Sequence, residues 1–77
     1  MKKMEFDFSR LLGRIKECGY TQEDVANFIG IAPGTLNAKL NNKGNFTAPE
    51  IESICKMLSI PKDEIGIYFF TPKVQKN

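Results

Sequence analysis

Residues 21–42 read TQEDVANFIGIAPGTLNAKLNN, and this stretch decides the fold. It opens on Thr21 with Asp24 three positions on, a capping-box-like start. The threonine hydroxyl can accept the third helical N–H while the acid reaches back to the N–H of the cap. Tyr20 before the cap and Val25 four positions into the helix make a hydrophobic staple. Ala26 and Ile29 continue the inner face. Gly30 ends the helix, since a tight turn needs a residue free to adopt positive φ. Pro33, whose φ is already near the helical value, suits the first position of the next helix. Leu36 and Leu40, at i and i+4, point to one side. Packing two helices steeply needs a small residue where they approach, and Ala26 supplies it. Val25, Ile29, Ile31 and Leu36 fill the space between. The stretch predicts two short helices joined by the turn Ile29-Gly30-Ile31.

Working outward, Asp7 can cap a first helix with Leu11, Leu12 and Ile15 on one face, running to about Glu17, where Gly19 breaks it. Asn41 to Asn45 form a loop around Gly44. Thr47-Ala48-Pro49-Glu50 is a second capping box, stapled by Phe46 and Ile51. The helix it starts buries Ile51, Ile54, Cys55 and Leu58, and Pro61 to Ile65 adds a short helical turn. After Gly66 comes Ile67-Tyr68-Phe69-Phe70, a β-prone run ended by Thr71-Pro72. It reads as a short C-terminal strand or as a tail folded over the core. Residues 73–77 are polar and expected to fray. The whole predicts an all-α chain, a compact four- to five-helix bundle. It forms one domain over 1–77, with a core of about 7–66 and a C-terminal extension, 67–77.

Composition bounds the function. A chain of 77 residues holds one core and buries about 60% of its unfolded surface. Cys18 and Cys55 both fall on apolar helix faces and read as buried free thiols, natural in a reducing cytoplasm. No apolar run approaches the roughly 20 residues of a membrane span. There is no histidine, no tryptophan, no Gly-rich phosphate loop and no Cys pair at metal spacing. Nucleophilic triads and ordinary zinc sites are therefore not expected, and no catalytic, metal or cofactor residue is assigned. Glu23/Asp24 and Asp63/Glu64 sit in first turns of helices, where the helix dipole accounts for them.

Net charge is only +2, but its distribution is uneven. Residues 25–49 contain no Asp or Glu, and carry Lys39 and Lys43 with Asn27, Asn37, Asn41, Asn42 and Asn45. A carboxylate-free, amide-rich surface suits a phosphate backbone. A turn-rich solvated segment is the plain alternative.

On these residues the chain resembles the Cro/XRE helix-turn-helix domains of phage repressors, and among them the small Cro-like phage regulators. The resemblance covers about residues 8–60. Its marks are Thr21-Gln22, Ala26, Gly30, Ile31, Thr35-Leu36, Asn41 and the trailing Ile51…Leu58-Ser59-Ile60. It implies a bundle of about five helices and a transcriptional regulator that binds specific double-stranded DNA, laying helix 33–41 in the major groove. Carried over position by position, Gln22 contacts phosphate. Pro33, Gly34, Thr35, Asn37 and Ala38 face DNA, and Asn41 matches a backbone-contacting position.

The chain departs from the family where members often carry Gln, Arg or Ser and it has Pro33, Gly34 and Ala38. None of these three can hydrogen-bond a base through its side chain. Polar readout then rests on Thr35 and Asn37, with help from Lys39. Asn suits adenine, and Ala38 or Pro33 suits a thymine methyl. Lys39 occupies a place usually apolar, so its stem is expected to pack while the ammonium reaches outward. Ala32 is a poor N-cap where the family favours Ser or Thr. Asn42, Lys43 and Arg14 join the phosphate-contacting set, against turn residues and a solvated helix face as plain alternatives.

One such domain reaches one half-site, and a charge of +2 releases few counterions, so a homodimer on a palindrome is expected. Ile67, Tyr68, Phe69 and Phe70 either pair between two copies or cap their own core. No small-molecule ligand and no membrane partner is expected. A protein-interaction module of the same fold, antitoxin-like, is the second reading.

Overall fold

Both capping boxes close in the computed structural model, which describes residues 5–73. Thr21 Oγ1 accepts from the N–H of Asp24 at 3.1 Å, and the Asp24 carboxylate accepts from the N–H of Thr21 at 2.8 Å. Thr47 and Glu50 repeat the exchange at 3.3 and 2.9 Å. These caps start α2 (Gln22–Ile29) and α4 (Ala48–Leu58), between which lies α3 (Pro33–Leu40). Before them runs α1 (Ser9–Glu17), and after them a 3-10 turn (Lys62–Glu64) leads into α5 (Ile65–Phe69). The protein is all-α.

Gly30 sits at φ 80°, the left-handed conformation expected of it, and its N–H and that of Ile31 both bond the carbonyl of Ala26, at 2.9 and 3.0 Å. Ala26 and Val25 are fully buried where α2 packs on α3 and α4. Leu36 from α3, Ile54 and Leu58 from α4, and Leu11 and Ile15 from α1 complete the centre.

Helix α1 begins later than its sequence implies. Phe8 occupies the cap position, with its ring buried, and Asp7 lies one residue before it. Asp7 still accepts the N–H of Ser9 at 2.8 Å. Hydrogen bonds from the Ser9 side chain and backbone hold its carboxyl below the ordinary 3.8. At the end of α4, Ser59 takes φ 55°, and Arg14 donates to the carbonyls of Leu58 and Ser59 at 3.0 and 3.3 Å. A cation there complements the partial negative charge of a helix C-terminus.

Two expectations are corrected. Cys18 is exposed, because α1 ends at Glu17 and leaves it beyond the apolar face, whereas Cys55 is buried and burial pushes its thiol above 9.0. Residues 67–70 form no strand. A strand would send Ile67 and Phe69 to one side and Tyr68 and Phe70 to the other. A helix instead groups Ile65 and Phe69 inward and Ile67 and Phe70 outward, and burial of Phe69 outweighs β propensity. The core therefore runs past residue 66 to Phe69.

The one β feature among the described residues is a bridge between Phe6 and Pro72, flanked by bonds from Asp7 N–H to Thr71 (2.7 Å) and Lys73 N–H to Glu5 (2.9 Å). No helix among the described residues is long and apolar enough to cross a membrane.

Candidate functional site

The helices on either side of the Gly30 turn carry most of the residues expected to contact DNA. Gln22 is exposed at the start of α2, and Pro33, Gly34, Thr35, Asn37 and Asn41 are all exposed along α3 and its end, with Ala38 half-buried among them. Gly34, Asn37, Ala38 and Asn41 are spaced by three and four residues and so share one side of the helix. Leu36 is buried on the opposite side. Lys43 stands exposed in the following loop. Thus seven of the ten residues singled out for contact lie exposed here, and Ala38, Lys39 and Asn42 are half-buried.

Among these three, Lys39 and Asn42 are engaged elsewhere. The Lys39 ammonium does not reach outward. It donates to both carboxylate oxygens of Glu50, at 2.7 and 2.9 Å, with each side chain only 14% exposed. Glu50 also serves the α4 cap, so one carboxylate ties α3 to the start of α4. Asn42 takes φ 63° and turns its carboxamide onto Phe6. Its Oδ1 accepts the Phe6 N–H at 2.9 Å and its Nδ2 donates to the Phe6 carbonyl at 3.0 Å. One side-chain amide thereby stands in for a neighbouring strand beside the segment paired with 71–73.

Asn42→Ala should lose both bonds and strain the left-handed backbone, costing about 2–3 kcal/mol in urea denaturation. Asn42→Gly, which keeps that conformation, should recover roughly 1 kcal/mol of it.

Arg14 caps α4 and lies 3.4 Å from Glu17, so neither the phosphate-contact nor the solvated reading describes it. Asn41 Nδ2 folds back onto the Asn37 carbonyl at 2.8 Å. Within 25–49, Lys43 is thus the cation left without an acid partner among the described residues. The outward face is nearly uncharged.

Phe28 went unremarked in the sequence, yet it is 56% exposed on α2. Helical periodicity carries the signal: Val25, Ala26 and Ile29 define the inner stripe, and Phe28 falls beside it. The run 67–70 divides. Phe69 is core, Tyr68 is half-buried against it, and Ile67 and Phe70 face outward.

Five short helices among the described residues surround one core and make a small all-α protein with a nearly uncharged helix-pair face. The chain belongs to the family described as "Protein of unknown function (DUF739)", whose profile matches residues 4–72. Its structure is similar to the solution structure of the modulator of repression (MOR) of the temperate bacteriophage TP901-1 from Lactococcus lactis. The two share 36% identity at a TM-score of 0.73, over 91% of this chain and 95% of the phage protein. No curated protein sequence matches.

Proposed function

We infer that this chain is a phage regulatory protein acting on repression, and that α2 and α3 form a Cro/XRE-type helix-turn-helix that binds double-stranded DNA. The observation that carries this reading is the outward face of α3. It exposes Thr35, Asn37 and Asn41 on a stretch without carboxylates, in a chain similar to a modulator of repression. Gln22 and Lys43 hold phosphates at the two ends of the unit. Thr35 and Asn37 read base edges, while Gly34 permits close approach and Ala38 or Pro33 meets a thymine methyl. Lys39 and Asn42 act from behind, by holding α3 and its loop in place.

With Lys43 the one cation of 25–49 free of an acid partner among the described residues, a single copy binds weakly and with a shallow salt dependence. A homodimer meeting through Ile67 and Phe70 supplies the second half-site on a palindromic operator. The experiment is selection of sites from a random duplex library by the purified chain, with Asn37→Ala in parallel. Enrichment of a palindrome that the variant relaxes is the expected result. A folded protein that enriches no motif, at low salt as well, overturns DNA reading.

Phe28 favours a second reading, in which the same regulatory role runs through a protein partner. A large aromatic ring left in water one helical turn from Asp24 suits a protein surface better than a phosphate backbone. On that reading, Phe28→Ala abolishes regulation in a phage-switch reporter, while Asn37→Ala changes it little.

A further inference from the structure

We propose that five phenylalanines beside the Asn42 loop form a binding site for one small, neutral, monocyclic aromatic molecule of the phenol class. Four edge-on or tilted contacts string their rings together from Phe70 to Phe69. Phe70 meets Phe6 at 5.7 Å and 85°, and Phe6 meets Phe8 at 6.4 Å and 59°. Phe8 meets Phe46 at 5.5 Å and 74°, and Phe46 meets Phe69 at 5.6 Å and 81°. The five side chains line a cavity of about 130 Å³.

Protein interiors are otherwise packed as densely as organic crystals, and a void deprives its lining of dispersion contacts. A dry cavity of roughly 150 Å³ lined by Leu, Ile and Phe takes up benzene. The volume here thus suits one six-membered ring. The rest of the lining is Ile51, Asn42, Gly44 and Asn45, with no ionisable group, so a charged ligand would lose its hydration without a counter-charge. The Asn42 amide is held by Phe6, whereas Asn45 is exposed at the rim, where its side-chain amide can bond a ring hydroxyl.

Apart from Ile51 of α4, the walls come from three places: the segment paired with 71–73, the loop that follows α3, and the end of α5. A bound ring holds all three together and stiffens the loop on which α3 ends. The site is therefore a control point for α3, whether that helix meets DNA or protein.

Amide NMR of the full chain during titration with phenol tests this. Saturable shifts confined to residues 6–8, 42–46 and 69–70 are expected. Phe70→Ala should keep a dispersed spectrum and bind at least tenfold more weakly. Ile67→Ala, outside the cavity, should bind phenol unchanged. Should Phe70→Ala fail to fold, Asn45→Ala serves instead. It should weaken phenol by about threefold to tenfold and toluene hardly at all, the loss of one hydrogen bond. Unsaturable or scattered shifts overturn the proposal. So does equal binding by the Phe70 or Asn45 variant, or saturation by tetramethylammonium in place of phenol.

Discussion

Phe69→Ala should leave much of the protein unfolded at room temperature, while Phe70→Ala, one residue on, leaves it folded. Phe69 is 1% exposed, joins the core formed by Phe8, Leu36 and Leu58, and packs edge-on against Phe46. Truncating a buried phenylalanine costs about 3–5 kcal/mol, through lost transfer energy and the cavity left behind. A domain of this size is stabilised by on the order of 5 kcal/mol, so the loss consumes most of it. Phe70 is 50% exposed and contributes chiefly one T-shaped contact with Phe6, worth about 0.5–1.5 kcal/mol. Urea denaturation followed by circular dichroism measures both. Equal costs for the two would mean that α5 does not sort them inward and outward, and would remove Phe70 from any surface role.

Glu50→Ala should cost about 2–4 kcal/mol, the largest effect expected from any polar residue here. Removing one partner of a buried ion pair strands the other, typically at about 3–5 kcal/mol, and partial exposure of this pair lowers that figure. Loss of the α4 cap adds to it. Lys39→Met keeps the packed stem and strands a carboxylate that still has Thr47, so it should cost less, about 1–2 kcal/mol.

The same pair predicts a pH dependence. Burial pushes the Glu50 carboxyl up. The bonds from Lys39 and from the Thr47 N–H, with the charge of Lys39, outweigh this and hold it below the ordinary 4.5. A carboxyl lowered on folding stabilises fully above its unfolded value. Its contribution falls as pH drops from about 4.5 through the folded value. Unfolding curves taken across that range should show the wild type losing stability with acid more steeply than Glu50→Ala. Parallel curves would mean that the pair contributes little.

What the sequence by itself determined was whatever depends on consecutive residues. Thr21 with Asp24 and Thr47 with Glu50 mark two helix starts because a cap closes over three residues. Gly30 and Pro33 mark the turn because each restricts or frees its own backbone. Val25, Ala26, Ile29 and Leu36 reveal the inward side through a period of 3.6. Hence four of the five helices and the outward side of α3 were legible before any coordinate, and α5 was not.

Tertiary structure alone decided what the long polar and aromatic side chains do. Lys39 looked like a cation for DNA until α4 brought Glu50, 11 positions away, against it. Asn42 looked like a loop amide until Phe6, 36 positions away, took it. Arg14 found its carbonyl 44 positions on. Such partners share no periodicity with the residue they engage, so no local pattern announces them. The run 67–70 shows the same thing for packing. Its β-prone composition is a weak local preference, and a vacant place in the core for Phe69 overrode it.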